Sequence, residues 1–425
     1  MSCDCLVVGS GTGGASIARE LSKKGKKVTI LEAGAYPKLG TEFNALKIYT
    51  GGFLSPGEFS KDNVEILRTK MVGGSSVVTY GNGTIALQAE FKSHGVDLEA
   101  EFIEAESDLN IVECPEDNMG VRTKLLMKTS QELGYNCMPM PKFIDFTKCR
   151  GCGNCVLGCI YGAKWTSRNF IGDSYKHGAK LLTNHFVEEI LIQDNQVKGV
   201  RTRTPDGMKE IEAETVILAA GGLGTPVILL NSGLEAGSHL FADTLVNTFG
   251  VVKDADFSNE LSMATIIDDF HDSEGYILSP TMEGPLDLLT DRIPLSKKHV
   301  ILKLSKLIGV MAKTKDTANG TVFADGSFVK PVPKIDMDKL DKGHERSKDL
   351  LLAAGVEPNS VFRTHIRAGH PGGTAGIGRV VNSDLETEVS GLYVCDCSVF
   401  PEAPGKPPVL TIVALAKYLA AKLVQ

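Results

Sequence analysis

Short apolar runs set off by glycine turns give this chain its clearest order. Residues Cys5–Val8 are apolar without a break, helical spacing follows from about residue 12, and Val28–Glu32 is a second run rich in β-branched side chains. Strand, glycine turn, helix and strand in that sequence predict a βαβ unit. A third buried strand is expected within 214–222, where it enters Gly221-Gly222, and Thr225-Pro226 opens a helix over 227–231. That strand lies some 200 residues from the first, so the predicted sheet is discontinuous. Helical spacing with interleaved charges covers 91–109 and 121–134, and 179–200 reads as short strands about a turn at Asp194-Asn195. The passage after Gly34 is loop-rich, with Gly51-Gly52 and Ser55-Pro56-Gly57 as turns. From 238 to 358 the regularity fades into strand-like runs at 245–252 and 307–312 and turns at Asn319-Gly320 and Asp325-Gly326. This suits a mostly antiparallel, substrate-facing domain whose His239, His271, His299 and His344 are expected at the surface. The closing helix over 409–424 carries Lys417 and Lys422, is too short and charged to cross a membrane, and is expected to pack on the core.

A length of 425 residues suits two or three domains. The formal charge of -7 argues against a nucleic-acid partner, because a phosphate backbone demands a basic face. No apolar run reaches the roughly 18 residues of a membrane span, and the chain enters its first strand at once, so neither span nor leader is expected and the cytoplasm is the expected compartment. Ten cysteines there point to metal or redox chemistry more than to disulfides.

Two stretches carry the chemistry. Gly9, Gly11 and Gly14, with Gly13 among them, fit the turn G-x-G-x-x-G, which lets a pyrophosphate approach the backbone at a helix N-terminus. Glu32, at the end of the second strand, is placed to accept hydrogen bonds from a ribose. The Gly73-Gly74-Ser75-Ser76 loop either offers backbone N–H groups to a cofactor or is a plain turn. The second stretch is Cys149, Cys152, Cys155 and Cys159, spaced C-x2-C-x2-C-x3-C with glycines between, as a [4Fe-4S] cluster requires. A zinc site and four reduced structural cysteines are the competing readings. Ile160 stands where two-cluster ferredoxins have proline, so the fourth ligand is Cys159 or a remote thiol, Cys137 or Cys114. Trp165 either shields such a cluster or is core.

Taken together, Gly9 to Gly14, Leu31-Glu32-Ala33-Gly34, Gly73 to Ser76, Val216 to Pro226 and the closing motifs resemble the glucose-methanol-choline (GMC) oxidoreductases, in that family's order. Residues 238–358 match it poorly. The resemblance implies FAD, with the pyrophosphate on Gly9 to Gly14, the ribose on Glu32, the isoalloxazine near Gly74 and Ser75, adenine near Val187, and Asp396 on the ribityl or phosphate side. It also implies that His370, in His370-Pro371-Gly372-Gly373-Thr374, takes or orders a substrate hydroxyl proton while hydride passes from carbon to flavin. The family's second His or Asn is replaced at Gly405-Lys406-Pro407-Pro408, so Lys406 or His365 is the candidate second proton-handling group, and Pro407 and Pro408 are counted with the cofactor-binding positions.

The expected fold is α/β: a Rossmann-like FAD-binding domain in three parts (1–90, 166–237, 359–425), a helical and cysteine-rich cluster-binding insertion (91–165) and a smaller, mostly antiparallel substrate domain (238–358). The expected function is oxidation of CH–OH to carbonyl on flavin, followed by one-electron transfer through the cluster to a ferredoxin-like carrier, with an acceptor other than oxygen and an anaerobic setting. Two alternatives stand beside it: a ferredoxin-driven reductase of C=C or C=O bonds, and a non-catalytic electron-transfer subunit of a larger complex.

Overall fold

The computed structural model describes residues 3–39, 57–282 and 295–424, so the Gly51-Gly52 and Ser55-Pro56 turns lie outside the described residues. Its centre is a five-stranded parallel sheet in the order Leu392–Val394, Val216–Leu218, Cys5–Val8, Val28–Glu32, Lys180–Thr183. The three middle strands are buried along their whole length, which is why they read as unbroken apolar runs. The helix Thr12–Lys23 covers one face and packs against the closing helix Val409–Lys422 and the helix Ser167–Lys176. An antiparallel meander of Phe186–Gln193, Gln196–Thr204 and Gly207–Glu212 lies beyond, its first turn made by Asp194 and Asn195, both left-handed.

Charges inside the closing layer are paired rather than exposed. Lys417 reaches Asp108 at 2.6 Å, and Arg19 reaches the same carboxylate at 2.7 Å, so three helices meet on one acid. This holds Val409–Lys422 on the core, where most of its residues are buried. Among the described residues no helix is long and apolar enough to cross a membrane.

The second sheet has nine strands and is antiparallel at its heart, where Thr244–Val251 pairs with Leu307–Thr314 and that strand with Tyr276–Thr281. Both faces are covered, one by the helix Lys334–Ala353 through Leu340, Leu350 and Leu351. The sheet is not confined to 238–358. Glu58–Phe59 and Glu65–Ile66 join through Arg367–Ala368, and Cys137–Pro139 joins through Thr265–Ile267. Strands of two or three residues carry no readable periodicity, so these crossings were hidden in the sequence.

Three expectations change. The 20-residue helix Lys334–Ala353 occupies a region read as irregular, because charges dominate its sequence. Residues 91–109 hold two helices, Gln88–Ser93 and Glu99–Leu109, parted by Gly95 at φ +82°. Of the four histidines expected at the surface, His239 and His299 are exposed, while His271 bonds Pro404 O at 2.9 Å and His344 bonds Thr248 Oγ1 at 2.8 Å, both half-buried.

Candidate active site

The N-terminal turn is built by close backbone approach. Gly9 has φ +102°, and a Cβ there would overlap the Ala219 carbonyl; one on Gly14 would overlap Gly9 O. Gly13 serves packing too, since a Cβ would overlap the Cys395 carbonyl at the end of the neighbouring strand. Gly11 differs, because the nearest atom its Cβ would meet is Gly74 Cα at 4.0 Å. It begins the helix Thr12–Lys23 with no side-chain cap and no acid in the first turn, leaving the N–H groups and positive end of the dipole toward open space.

Around that opening the predicted cofactor residues take definite places. Glu32 is buried; Ser10 Oγ and N–H donate to Oε2 at 2.5 and 3.1 Å, and Gly34 N–H donates to Oε1 at 2.7 Å. Burial pushes its carboxyl upward against these bonds. Gly73 N–H donates to Ser10 Oγ at 3.1 Å, and the next residues form the short helix Gly74–Val78 rather than a plain loop. A Cβ on Gly74 would lie 2.8 Å from Gly11 Cα, so these glycines face each other. Ser75 Oγ accepts Thr69 N–H at 3.3 Å. Asp396 is turned into the fold: Oδ2 accepts Gly221 N–H at 2.7 Å and Thr225 Oγ1–H at 2.6 Å, and Oδ1 accepts Ser398 N–H at 2.7 Å. It ties the third glycine turn to the last strand, and Gly221 itself has no atom within 4 Å of a Cβ. Val187 is buried in the main core.

His370 is 23% exposed and sits on a buried charge pair. Its Nδ1 lies 2.9 Å from Asp243 Oδ2; against the ionised carboxylate Nδ1–H is the donor, and Nε2 then keeps its lone pair. Lys313 Nζ is 3.5 Å from the same Nδ1 and 4.0 Å from Asp243 Oδ2. The register Leu245↔Lys313 explains the meeting: Lys313 ends the strand beside the one that Asp243 precedes. Asp243 Oδ1 accepts Gly405 N–H at 2.9 Å, so the 405–408 segment is fastened to the same carboxylate. Burial pushes the Asp243 carboxyl upward against the pull of Lys313, and burial lowers Lys313 against the pull of Asp243. Burial and the Lys313 charge hold His370 well below its usual 6.5. Neither Asp243 nor Lys313 is in the sequence-based site; an ionisable residue in or next to an otherwise apolar buried strand is the signal that marks them.

The other two proton-handling candidates are engaged elsewhere. Lys406 Nζ donates to Asp268 Oδ2 at 3.1 Å, while the buried Pro407 accepts Thr84 Oγ1–H at 3.1 Å through its carbonyl and Pro408 caps the closing helix. His365 Nε2 meets Glu65 Oε2 at 2.6 Å, and Arg367 Nε donates to the same oxygen at 3.1 Å. Burial raises Glu65, but the His365 bond and the Arg367 charge prevail and hold it at about 2, below its ordinary 4.5. A carboxylate depressed in the folded state contributes stability that is present above 4.5 and lost as pH falls toward 2. Glu65→Gln is therefore expected to lower the melting temperature at neutral pH and to flatten its decline below about pH 4.5, read by thermal melts across that range.

The cysteine run folds as the short turn Asn154–Leu157 between the left-handed Gly153 and Gly158. Cys155 is buried, and Cys149 and Cys159 pack with it against Cys114, Met119, Ile144 and Leu261; Cys152 is not part of that patch. All four are free thiols, and among the described residues no three His, Cys, Asp or Glu are gathered to hold a metal ion. Three of the four predicted ligands thus share one apolar patch, which Cys152 does not join. Beside the patch Lys164 is buried, with Nζ donating to the carbonyls of Cys155 at 2.9 Å and Thr79 at 2.6 Å. Cys137 is remote from the run, on its strand in the second sheet. Trp165 is core, edge-on to Phe143 and Phe170.

A glycine turn opening on a bare helix end, with a histidine held over a second sheet, is the architecture of a dinucleotide-cofactor oxidoreductase. Family models described as GMC oxidoreductase match residues 3–248 and 299–416, and the chain belongs to that family. The poorly matching stretch thus narrows from 238–358 to 249–298. An uncharacterised protein of Methanocaldococcus jannaschii is 30% identical over 97% of this chain and 98% of its own length. A long-chain-alcohol oxidase of Arabidopsis thaliana is 25% identical over 100% of this chain and 68% of its own. Among solved structures, pyridoxine 4-oxidase from Mesorbium loti shares the fold at TM-score 0.74 and 15% identity, covering 99% of both chains. A formate oxidase variant of Aspergillus oryzae does so at TM-score 0.75 and 16% identity, covering 99% of this chain and 97% of that one. Membership supports FAD as cofactor, and the glycine cradle between Gly11 and Gly74 fits a dinucleotide.

Proposed function

We propose that this GMC oxidoreductase oxidises the hydroxyl of a small organic substrate to a carbonyl, with His370 as the base, and that an iron–sulfur centre on the run from Cys149 to Cys159 serves a ferredoxin-like one-electron carrier. The observation that supports it most is the His370 imidazole, neutral, partly exposed and bonded through Nδ1 to buried Asp243, so that Nε2 is the atom free to accept a hydroxyl proton. When bound, FAD supplies a two-electron acceptor and a cluster a one-electron relay.

On this reading Gly11 and the first helical turn hold the pyrophosphate, while Gly9, Gly13 and Gly14 let the backbone close around it. Glu32 Oε1 takes one N–H and keeps a lone pair for a ribose hydroxyl. Gly73, Gly74 and Ser75 border the isoalloxazine, Val187 the adenine, Asp396 supports the turn at the ribityl side, and Pro407 and Pro408 shape the wall. The three-part division of the cofactor domain, with its insertion and substrate domain, belongs to the same proposal.

The cluster rests on the cysteine spacing, on left-handed Gly151, Gly153 and Gly158 that let the run turn back on itself, and on buried Lys164 beside it, whose Nζ donates to the Cys155 carbonyl. Protein purified without oxygen is expected to contain iron and acid-labile sulfide in equal amounts besides flavin, with an EPR signal on reduction. Cys155→Ser should lose iron and sulfide and keep flavin. Flavin without iron or sulfide overturns the cluster and its carrier.

The reverse reading, a reductase of C=C or C=O bonds, draws on one observation: the segment fastened to Asp243 through Gly405 carries proline at 407, and Lys406 Nζ donates to Asp268. Anaerobic bleaching of the flavin by alcohols supports the oxidation; turnover of activated alkenes alone supports the reductase. Oxygen consumption during alcohol turnover distinguishes an oxidase from a dehydrogenase.

A further inference from the structure

Of the two groups beside His370, the reading above uses only the Asp243 bond and leaves Lys313 without a role. Asp243 is fully buried and in the left-handed region at φ +51°, a conformation costly for a non-glycine residue, and both its oxygens are used: one on His370, one on Gly405. Lys313 is 3% exposed at its side chain and, among the described residues, has no nearer carboxylate than Asp243 at 4.0 Å. Two opposite charges without water are costly to keep as scaffolding, since apolar residues would fill the same space at no desolvation cost. Their shared neighbour is the imidazole.

We propose that Asp243 and Lys313 are positioning residues for His370: Asp243 fixes the Nδ1–H tautomer and aims Nε2 at the substrate, and Lys313, with Nζ 3.5 Å from Nδ1, adds its charge to the burial that opposes a second proton on the ring. The inference deepens the reading of His370 as base and rests on it. The distances divide the roles. At 2.9 Å Asp243 makes a hydrogen bond, whereas Lys313, at 3.5 Å from a nitrogen that already bears a proton, acts by charge. A fixed tautomer is what a base needs, because the wrong one presents N–H to the hydroxyl proton it must take. A neutral ring at rest keeps that lone pair available at pH values where an ordinary histidine is half protonated. The other charged groups facing Asp243 are His271 and Lys315, with the buried pair Asp316 and Lys330 behind it and the Cys397 thiol nearby. All remain in the variants below, so the comparison isolates Lys313 and Asp243.

The test is carbethoxylation of His370 by diethyl pyrocarbonate, which attacks neutral imidazole, in the flavin-loaded protein between about pH 5 and 8, read by mass spectrometry. The unmodified protein should label at a rate flat down to well below pH 6.5. Lys313→Met should bring an inflection up toward the ordinary histidine value, and Lys313→Arg should restore the flat profile. Should Lys313→Met not fold, Lys313→Gln serves, which removes the same charge, keeps a polar group beside Asp243 and leaves the carboxylate in place, with the same upward shift expected. Asp243→Asn should lower kcat about 10²-fold on the alcohol turned over fastest, with KM within about twofold. A Lys313→Met profile that superimposes on the original, or an Asp243→Asn effect confined to KM, overturns the inference. Turnover that survives His370→Gln overturns the reading of His370 as base instead.

Discussion

Exchanging His370 for glutamine is expected to lower alcohol turnover by about 10²- to 10⁴-fold, the usual contribution of a positioned acid or base. Glutamine keeps a polar group of similar reach and can still donate to Asp243, so the buried carboxylate is not orphaned and the fold should hold. Flavin content and visible spectrum should therefore match the unmodified protein, and substrate binding should change little. The loss belongs in kcat, because the interaction removed strengthens only as the hydroxyl proton departs. Steady-state kinetics alongside a flavin spectrum separate this from collapse of the site. Turnover within threefold of the original would mean that the proton goes elsewhere.

Gly13→Val is expected to abolish flavin retention and to leave little folded protein. The glycine lies in the first turn of Thr12–Lys23, where any Cβ overlaps the Cys395 carbonyl of the neighbouring strand connection. The obstacle is backbone, so no rotamer change relieves it, and the cost should exceed the ~1–3 kcal/mol of ordinary overpacking. Relief requires parting the first helix from the end of the Leu392–Val394 strand, which widens the turn that Asp396 closes on Gly221. Gly25→Ala is the control: it also has positive φ, but no atom lies within 4 Å of its Cβ, so only a modest strain is expected. Flavin content per chain and thermal melts distinguish the two.

The parallel sheet was legible because its strands are buried on both faces and bounded by glycine turns: Cys5–Val8 and Val28–Glu32 lie where the apolar runs put them. Helix Lys334–Ala353 was not, since its buried residues are few among charges. The site divided in the same way. Glu32 and the opposed Gly11 and Gly74 sit within or beside local motifs, whereas Asp243 reaches His370 across 127 positions and Lys313 across 57. Sheet register brings those three together, and register is a property of long-range pairing that no local window contains. The cysteine spacing is equally local, yet spacing fixes only the reach of the thiols. The patch that Cys149, Cys155 and Cys159 share is completed by Cys114, Met119 and Leu261, which come from other parts of the chain.

The strand order carries a consequence for synthesis. Cys5–Val8 is flanked on one side by Val28–Glu32 and on the other by Val216–Leu218, and the next strand along, Leu392–Val394, is made long after all three. At roughly 5–20 residues per second, the ribosome needs on the order of 20 to 80 s between the first strand and that one. Throughout that interval the nascent chain holds an apolar strand whose sheet is incomplete and a nucleotide cradle with one wall absent. A cofactor that needs all five strands is therefore held only after Leu392–Val394 has been made.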